Sequence, residues 1–308
     1  MKHRGKNRFI ECNRVMLVLV AAIVNITIGH AIASPIYTSI QITNNLYDDK
    51  YPQINNDGYV VWEGSDASAI DKEIYLYNGK SINQITDNDF ADLSPKINNE
   101  GYIVWERRGD GPDYEIFLYD GADSTNISNN NYHDFNPQIN DKGSVVWYAD
   151  DGDDAEIFRY IYSSPGSPAI QITNDVYDDY EPQINDSGNI VWYTYFGNAD
   201  TEIRQLHYIY GVISITNNTY DDFSPRINNS FDVVWEGFEG DSDPEIFILD
   251  ANMGPTPITN NTFRDQGPQI NNDGHIVWLR RGDSPDDWEI FLLGSAGSPI
   301  QITDNSYN

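Results

Sequence analysis

The groups in this chain that could do chemistry are carboxylates, and they recur in two sets. The first set is an aspartate three residues before a repeated proline, and it comprises Asp49, Asp92, Asp134, Asp179, Asp222 and Asp265. The second set is the glutamate of an Asp-x-Glu sequence, and it comprises Glu73, Glu115, Glu156, Glu202, Glu245 and Glu289. Carboxylates act as general acids and bases, or they ligate hard cations. Because the copies are nearly alike, the sequence singles out no acid and base, and we predict no catalytic residue.

A cation site is the more specific prediction from these carboxylates. The densest acidic run comprises Asp150, Asp151, Asp153 and Asp154, and Glu156 follows it. Hard oxygen ligands favour Ca²⁺, although the run lacks the spacing of an EF-hand loop. The alternative is structural, since loop aspartates accept backbone N–H bonds and hold neighbouring loops together. Ca²⁺ is therefore the one cofactor that the sequence suggests.

Basic and aromatic residues interrupt the repeated pattern and form a second group of candidates, predicted to bind a partner. One set lies in the fourth repeat and comprises Tyr193, Tyr195, Arg204, His207 and Tyr208. The other set lies in the acidic loops of the second and sixth repeats and comprises Arg107, Arg108, Arg280 and Arg281. A guanidinium group can clamp the carboxylates of a partner. The alternatives are that the arginines pair with acids of this chain, and that the fourth repeat is irregular but packed.

These residues are set in a unit that occurs six times. Each copy runs from a proline to a tryptophan, as in PQINDSGNIVW (Pro182–Trp192). The tryptophans are Trp62, Trp105, Trp147, Trp192, Trp235 and Trp278, and their identical position in every copy favours core packing over sugar stacking. Each copy predicts a β-hairpin, because it contains an extended run, a turn that tolerates positive φ and a β-branched run. The fifth copy has Phe231 in place of the turn glycine, so we expect a longer or strained turn there.

Two more strand sequences follow each hairpin. The third begins at the repeated glutamate, as in Glu115–Tyr119, and the fourth is short, as in Ile170–Thr173. Four strands per repeat without a helical period predict an all-β fold, a six-bladed β-propeller of four-stranded antiparallel blades. A β-solenoid or a string of β-modules is the alternative. The predicted propeller spans residues 34–308, with repeats of roughly 44–86, 87–128, 129–173, 174–216, 217–259 and 260–303.

The closing strand of the ring is left open by the sequence. A seventh copy of the fourth-strand sequence, Ile40–Thr43, precedes the first repeat. Either this strand or Ile300–Thr303 is suited to complete the sixth blade. The residues after Thr303 resemble the start of another repeat, so a longer array is an alternative to six blades that close a ring.

The first 33 residues are typical of a secretory signal peptide. A basic start, an apolar run over residues 15–28 and the small residues Ala31 and Ala33 predict cleavage after Ala33. The apolar run is short for a membrane-spanning helix, so an uncleaved anchor is the alternative. Cys12 is the only cysteine, and the exported chain would have no disulfide. We therefore expect a secreted or periplasmic monomer with no membrane insertion after cleavage.

The formal net charge of the chain is −30 at pH 7. A surface with this much negative charge repels nucleic acids and anionic lipid head groups, and it attracts cations or basic partners. We predict no nucleic-acid partner.

The repeat resembles the TolB-type propeller repeat, a relative of WD-repeat blades. The matching pieces are the strand ends QIT (Gln171–Thr173), IVW (Ile190–Trp192) and EIY (Glu73–Tyr75), the acidic loop at Asp179 and the turn PQINDSG (Pro182–Gly188). The resemblance covers residues 40–308 and implies a six-bladed propeller.

Together these features favour a non-enzymatic, exported scaffold whose acidic loop face binds a protein or glycan partner. The histidines after the signal are His133, His207 and His275, and no Gly-x-Ser-x-Gly sequence accompanies them, so no catalytic triad is indicated. The alternatives are a carbohydrate-active lyase or hydrolase of propeller fold, and a Ca²⁺-stabilised structural protein of the envelope or cell surface.

Overall fold

The structure, a computed structural model, describes residues 39–304 apart from 66–70, 109–110, 112, 151, 163–165, 167, 198–199, 208, 240–242, 251–253, 283–286 and 295–296. The chain divides into two compact units, Met1–Asn44 and Asn45–Asn308. Residues 39–44 form no strand, and the predicted signal peptide lies outside the described residues. No helix with the length and apolar character needed to span a membrane occurs in the described part of the chain.

The second unit contains six four-stranded sheets, each built from consecutive antiparallel strands. The first two are β1 (Asp49–Ile54), β2 (Val60–Gly64), β3 (Glu73–Tyr77), β4 (Ile82–Gln84), and β5 (Asp92–Ile97), β6 (Ile103–Arg108), β7 (Tyr114–Tyr119), β8 (Ser124–Asn126). The next two are β9 (His133–Ile139), β10 (Ser144–Asp150), β11 (Ala155–Ile161), β12 (Ile170–Gln171), and β13 (Asp178–Ile184), β14 (Ile190–Tyr195), β15 (Thr201–His207), β16 (Gly211–Ser214). The last two are β17 (Asp222–Ile227), β18 (Val233–Gly237), β19 (Glu245–Leu249), β20 (Thr256–Pro257), and β21 (Asp265–Ile270), β22 (Ile276–Arg281), β23 (Trp288–Leu293), β24 (Pro299–Gln301).

These sheets confirm the prediction of an all-β, six-bladed propeller of four-stranded antiparallel blades. The first strands of successive blades contact one another, so they line the propeller axis, and the short fourth strands lie on the outside. In the sixth blade β24 pairs with β23, so the strand that contains Ile300 completes the sheet of its own repeat.

The turn between the first two strands follows the repeated sequence. In the first blade the Asn55 N–H bonds the Tyr59 carbonyl at 3.1 Å, and Gly58 has a φ of 77°. In the fifth blade the equivalent bond joins Asn228 to Asp232 at 3.1 Å, and Phe231 has a φ of 72°. The fifth turn is therefore no longer than the others, and the prediction of a strained turn is confirmed.

Every first strand bends at the residue before its proline. That residue has a left-handed φ of 50–65° in all six blades: Tyr51, Ser94, Asn136, Glu181, Ser224 and Gly267. The pairing register with the second strand shifts at the same point, which is a β-bulge. Only one of the six residues is a glycine, so the remaining positions hold a conformation that packing must stabilise.

The core lies between the blades. Five apolar clusters each join one blade to the next, as Val104 and Ile116 of blade two join Val145 and Trp147 of blade three. The six repeated tryptophans are buried, and Trp147 stacks on Phe158 of its own blade at 6.1 Å. Burial of an aromatic side chain of this size makes each interface a large contributor to stability.

Candidate functional site at the propeller axis

The repeated aspartates accept hydrogen bonds from the repeated tryptophans. In each blade the indole Nε1–H donates to the aspartate Oδ1 at 2.5–3.0 Å, as Trp147 does to Asp134 at 2.6 Å. The sequence interpretation gave these carboxylates backbone N–H partners instead. A buried indole N–H needs an acceptor, and the aspartate of its own blade supplies one.

Four of the repeated glutamates connect their blade to the loop that follows it. Glu73 accepts the Asn88 N–H at 2.9 Å, and Glu156 accepts the Asp175 N–H at 2.8 Å. Equivalent bonds occur at 2.6 Å for Glu202 and 2.7 Å for Glu245. Both carboxylate sets are therefore engaged within the fold.

Burial raises the pKa of several of these carboxyl groups, so they are protonated more easily. It raises the pKa of Asp134 and Asp222 to about 7 and the pKa of Asp179 to about 6. A nearby carboxylate adds to each rise. These pKa shifts have a structural cause, because each aspartate is held in a buried position by its hydrogen bond to the tryptophan of its own blade.

Two of the predicted binding arginines neutralise such an aspartate. Arg107 binds Asp92 through two hydrogen bonds of 2.6 and 2.9 Å, and Arg280 binds Asp265 through two of 2.7 and 3.0 Å. Each guanidinium also lies 4.2 Å from the ring centre of a phenylalanine. Both side chains are thus held within their own blade.

The remaining predicted arginines sit in other surroundings. Arg108 is exposed at the end of β6. Arg281 lies in a cavity of about 400 Å³ at the rim of blade six, together with Arg280, Glu289 and Phe291.

The predicted residues of blade four do not form one site. Arg204 pairs with Asp175 at 3.0 Å on the Trp192 side of the sheet, whereas Tyr193 lies on the opposite side. His207 stacks on Tyr210 with ring centres 4.8 Å apart, and Tyr195 is exposed. Tyr208 lies outside the described residues.

The acidic run proposed to bind Ca²⁺ remains a hypothesis. Asp150 Oδ1 accepts the Gly152 N–H at 2.9 Å, and Glu156 is engaged by the loop described above. Asp153 and Asp154 follow in the same loop, and Asp151 lies outside the described residues. The part of the chain that the structure describes contains no group of three or more His, Cys, Asp or Glu side chains placed to hold a metal ion.

The structure instead brings a row of aromatic rings together at the axis. The row crosses blades three to five and comprises Phe135, Tyr148, Tyr180, Tyr193 and Phe223, with successive ring centres 5.6, 5.2, 5.7 and 5.4 Å apart. All five rings are partly buried. Burial raises the pKa of Tyr148 to about 12, so its hydroxyl stays protonated at neutral pH. We call these five residues the aromatic row.

Ionisable side chains of the inner strands interact electrostatically with one another and with tyrosines of the aromatic row. Lys96 of blade two and Arg226 of blade five both lie on first strands, and burial together with the Arg226 charge lowers the pKa of Lys96. Burial raises the pKa of Glu106 and of Glu236, and Glu181 interacts electrostatically with Arg226. Cations and protonatable acids therefore interact electrostatically among the inner strands of a strongly acidic protein.

Two of these glutamates also hold the bent first strands. Glu106 accepts the Asn136 N–H at 2.8 Å, and Glu236 accepts the Gly267 N–H at 2.8 Å. In blades three and four a tyrosine, Tyr148 or Tyr193, takes the position of this glutamate. We call the aromatic row and Lys96, Glu106, Glu181, Arg226 and Glu236 the axial site.

Sequence reasoning identified only Tyr193 of the axial site. A usable signal was present, because the residue after the repeated tryptophan is glutamate in three copies but tyrosine at Tyr148 and Tyr193. The cations were harder to find. Lys96 and Arg226 are 130 residues apart, and only the ring brings them together.

Comparisons with known proteins identify the fold but no family. No protein-family model matches the sequence, and no curated protein matches it. A puromycin-hydrolysing peptidase of Mycobacterium tuberculosis is similar in structure, with a TM-score of 0.64, 11% identity and coverage of 84% of this chain and 46% of that chain. The acylaminoacyl peptidase of Pyrococcus horikoshii matches with a TM-score of 0.60, 14% identity and coverage of 83% and 45%. A putative TolB of Agrobacterium tumefaciens matches with a TM-score of 0.53, 12% identity and coverage of 72% and 84%.

These neighbours correct our leading expectation. The chain spans less than half the length of the two peptidases that it resembles, and the likeness concerns their propeller fold. The prediction of a non-enzymatic scaffold that binds through its acidic loop face is wrong as the leading interpretation, because five of the structures that this chain resembles are of peptidases or hydrolases. The enzymatic alternative is the better supported of the two.

Proposed function

We propose that this propeller serves a hydrolase of peptide-like substrates and that it selects the substrate at the axial site. One observation carries the proposal: unlike residues converge at the axis, where the repeat is broken, and nowhere among the repeated carboxylates. The structural likeness to peptidases supports it at the level of the fold. We assign no catalytic residue to the described part of the chain.

The axial site suits a chain that is both apolar and charged. The aromatic row offers ring faces and edges for apolar side chains. Lys96 and Arg226 offer charge-assisted hydrogen bonds to carboxylates, and Glu106 and Glu236 offer them to amide or amine groups. A short peptide presents all of these groups.

The test is hydrolysis and binding of a panel of acylated and proline-containing peptide amides. We expect turnover or saturable binding by the wild-type chain, and a loss of at least tenfold in affinity for Tyr193→Leu, which keeps apolar volume but removes the ring. Tyr210→Leu is the matched control, because Tyr210 is exposed and lies outside the axial site. Failure of every peptide to be cleaved or bound would refute the proposal.

A carbohydrate-cleaving hydrolase is the second candidate. It is favoured by the aromatic row, since partly exposed rings also stack on sugar rings. Oligosaccharides in the same assay distinguish the two, because Tyr193→Leu would then impair sugar cleavage and leave the peptides unaffected.

A further inference from the structure

One blade face at each end of the chain lacks the cover that the same face has elsewhere. We call the face that packs on the next blade in chain order the forward face. On the forward face of blade six, Val277 is 37% exposed and Ile290 is 40% exposed. The side chains at these two positions in the other five blades are all 0% exposed: Val61, Val104, Val146, Val191, Val234 and Ile74, Ile116, Ile157, Ile203, Ile246.

The opposite, backward face is uncovered in blade one. Ile54 is 69% exposed and Tyr51 is 61% exposed. The isoleucines equivalent to Ile54 are partly buried in the other blades, and Pro52 is exposed whereas the other five repeated prolines are buried. None of the five apolar clusters joins blade six to blade one.

Both uncovered faces keep the hydrogen-bonding groups of a covered one. At each formed interface an asparagine Nδ2 donates to a carbonyl of the next blade, as Asn228 does to Asn271 at 3.2 Å. The following backbone N–H donates to an Asn or Asp side chain of the next blade, at 2.8–2.9 Å. Blade six carries the donors, Asn271 and the Asn272 N–H, and blade one carries the acceptors, the Asn55 carbonyl and the exposed Asn56.

The two faces also depart from the repeat together. At three formed interfaces a glutamate accepts the N–H of the bent residue in the next blade, as Glu63 does from Ser94 at 3.0 Å. Blade six has Leu279 in place of that glutamate, and blade one has Tyr51 at the bent position. Both are apolar and exposed, so a leucine–tyrosine contact would replace the polar one.

A preformed loop and an open cavity extend this match at the rim. The cavity of about 400 Å³ at blade six adjoins Glu289 and Phe291. In four blades the equivalent glutamate accepts a backbone N–H from the first loop of the next blade. In blade one that loop, Asn45–Asp49, has the hydrogen bonds of the equivalent loops in blades two, five and six: Asn45 Nδ2 donates to Asp49 at 3.0 Å, and Asn45 Oδ1 accepts the Tyr47 N–H at 2.9 Å.

We propose that the forward face of blade six binds the backward face of blade one in a second copy of this chain, with loop Asn45–Asp49 of one copy in the blade-six cavity of the other. The five formed interfaces show what covers such a face, namely a backward face of the same repeat. The structure leaves one face of each kind uncovered, so a second copy presents the matching half. The contact is head-to-tail, and it builds a ring or a linear assembly of copies.

The test disables one face at a time in the full chain. Val277→Asp puts a carboxylate on the forward face, and Ile54→Asp puts one on the backward face. Both side chains are exposed in a single copy, so each variant keeps its circular dichroism spectrum. Val176→Asp is the matched control, because Val176 is 80% exposed in a loop outside both faces.

Sedimentation velocity over a dilution series reads out the assembly. We expect wild type and Val176→Asp to form species heavier than one chain that dissociate on dilution, and each face variant to sediment as a single chain. An equimolar mixture of the two variants has one intact pair of faces, so it should give a one-to-one dimer and nothing larger. A wild-type chain that is monomeric at every concentration, or face variants that assemble as wild type does, would overturn the proposal.

Discussion

At the scale of the residue, the repeated aspartate has one of at least two environments, depending on the blade. Asp92 and Asp265 face a guanidinium group, whereas Asp134, Asp179 and Asp222 are buried without an arginine bound to them in the described structure. The tryptophan N–H is common to all six. The charge of the aspartate is therefore tolerated in some blades at a cost in folding free energy.

Asp179→Asn should make the protein more stable at neutral pH. The pKa of Asp179 is raised to about 6 in the folded state from a usual 3.8, so between these values the folded state binds more protons than the unfolded state. Wild-type stability therefore falls as the pH rises from about 4 to about 6. Asparagine keeps an oxygen for Trp192 Nε1 and removes the charge, so the free energy of unfolding should rise by roughly 1–3 kcal/mol above pH 7.

Chemical denaturation of both proteins at several pH values measures this difference. The control is Asp92→Asn, which leaves Arg107 without its carboxylate and should lower stability at neutral pH. A difference between Asp179→Asn and wild type that does not shrink as the pH falls to about 4 would contradict the explanation.

At the scale of the element, sequence repetition made the strands predictable but concealed their differences. The hairpin between Pro182 and Trp192 could be predicted because its strand residues and turn recur in register. Val61 and Val277 occupy the same repeat position with the same residue type, yet one is buried and the other exposed. Local sequence cannot separate them, because burial here depends on whether a neighbouring blade is present.

Two asparagines test that dependence. Asn98 and Asn271 accept the same two turn N–H groups, at 2.8 and 3.1 Å, but only Asn98 also donates to a following blade, at 2.9 Å to Asn140. Asn98→Ala should therefore lower the free energy of unfolding by about 1–3 kcal/mol more than Asn271→Ala. Urea unfolding measures both, at a protein concentration low enough to keep the chain monomeric. Equal losses would show that blade one covers Asn271 within the same molecule.

At the scale of the whole molecule, the packing of the blades around one axis brings together residues that no single repeat contains. Lys96 and Arg226 come from blades two and five, and the aromatic row is completed by three successive blades. The sequence showed the tyrosines as departures from a pattern, but their proximity required the packing of successive blades around an axis. We predicted function at the acidic loop face because carboxylates are numerous there. In the structure, the repeated aspartates bind the tryptophans, and repeated glutamates bind the loops between blades.

The same acidic charge predicts how the molecule responds to ions. A net charge of −30 repels itself in the compact state, so salt should stabilise the fold by screening. We expect the melting temperature to rise with NaCl and to rise equally with CaCl₂ at matched ionic strength, as measured by thermal melts after EDTA treatment. Asp153→Asn serves as the control, since it alters the acidic run without touching Glu156. A Ca²⁺ effect that exceeds the Na⁺ effect and disappears in Asp153→Asn would show instead that this run binds the cation, because a ligand at a hundred times its Kd adds about 2.7 kcal/mol to stability.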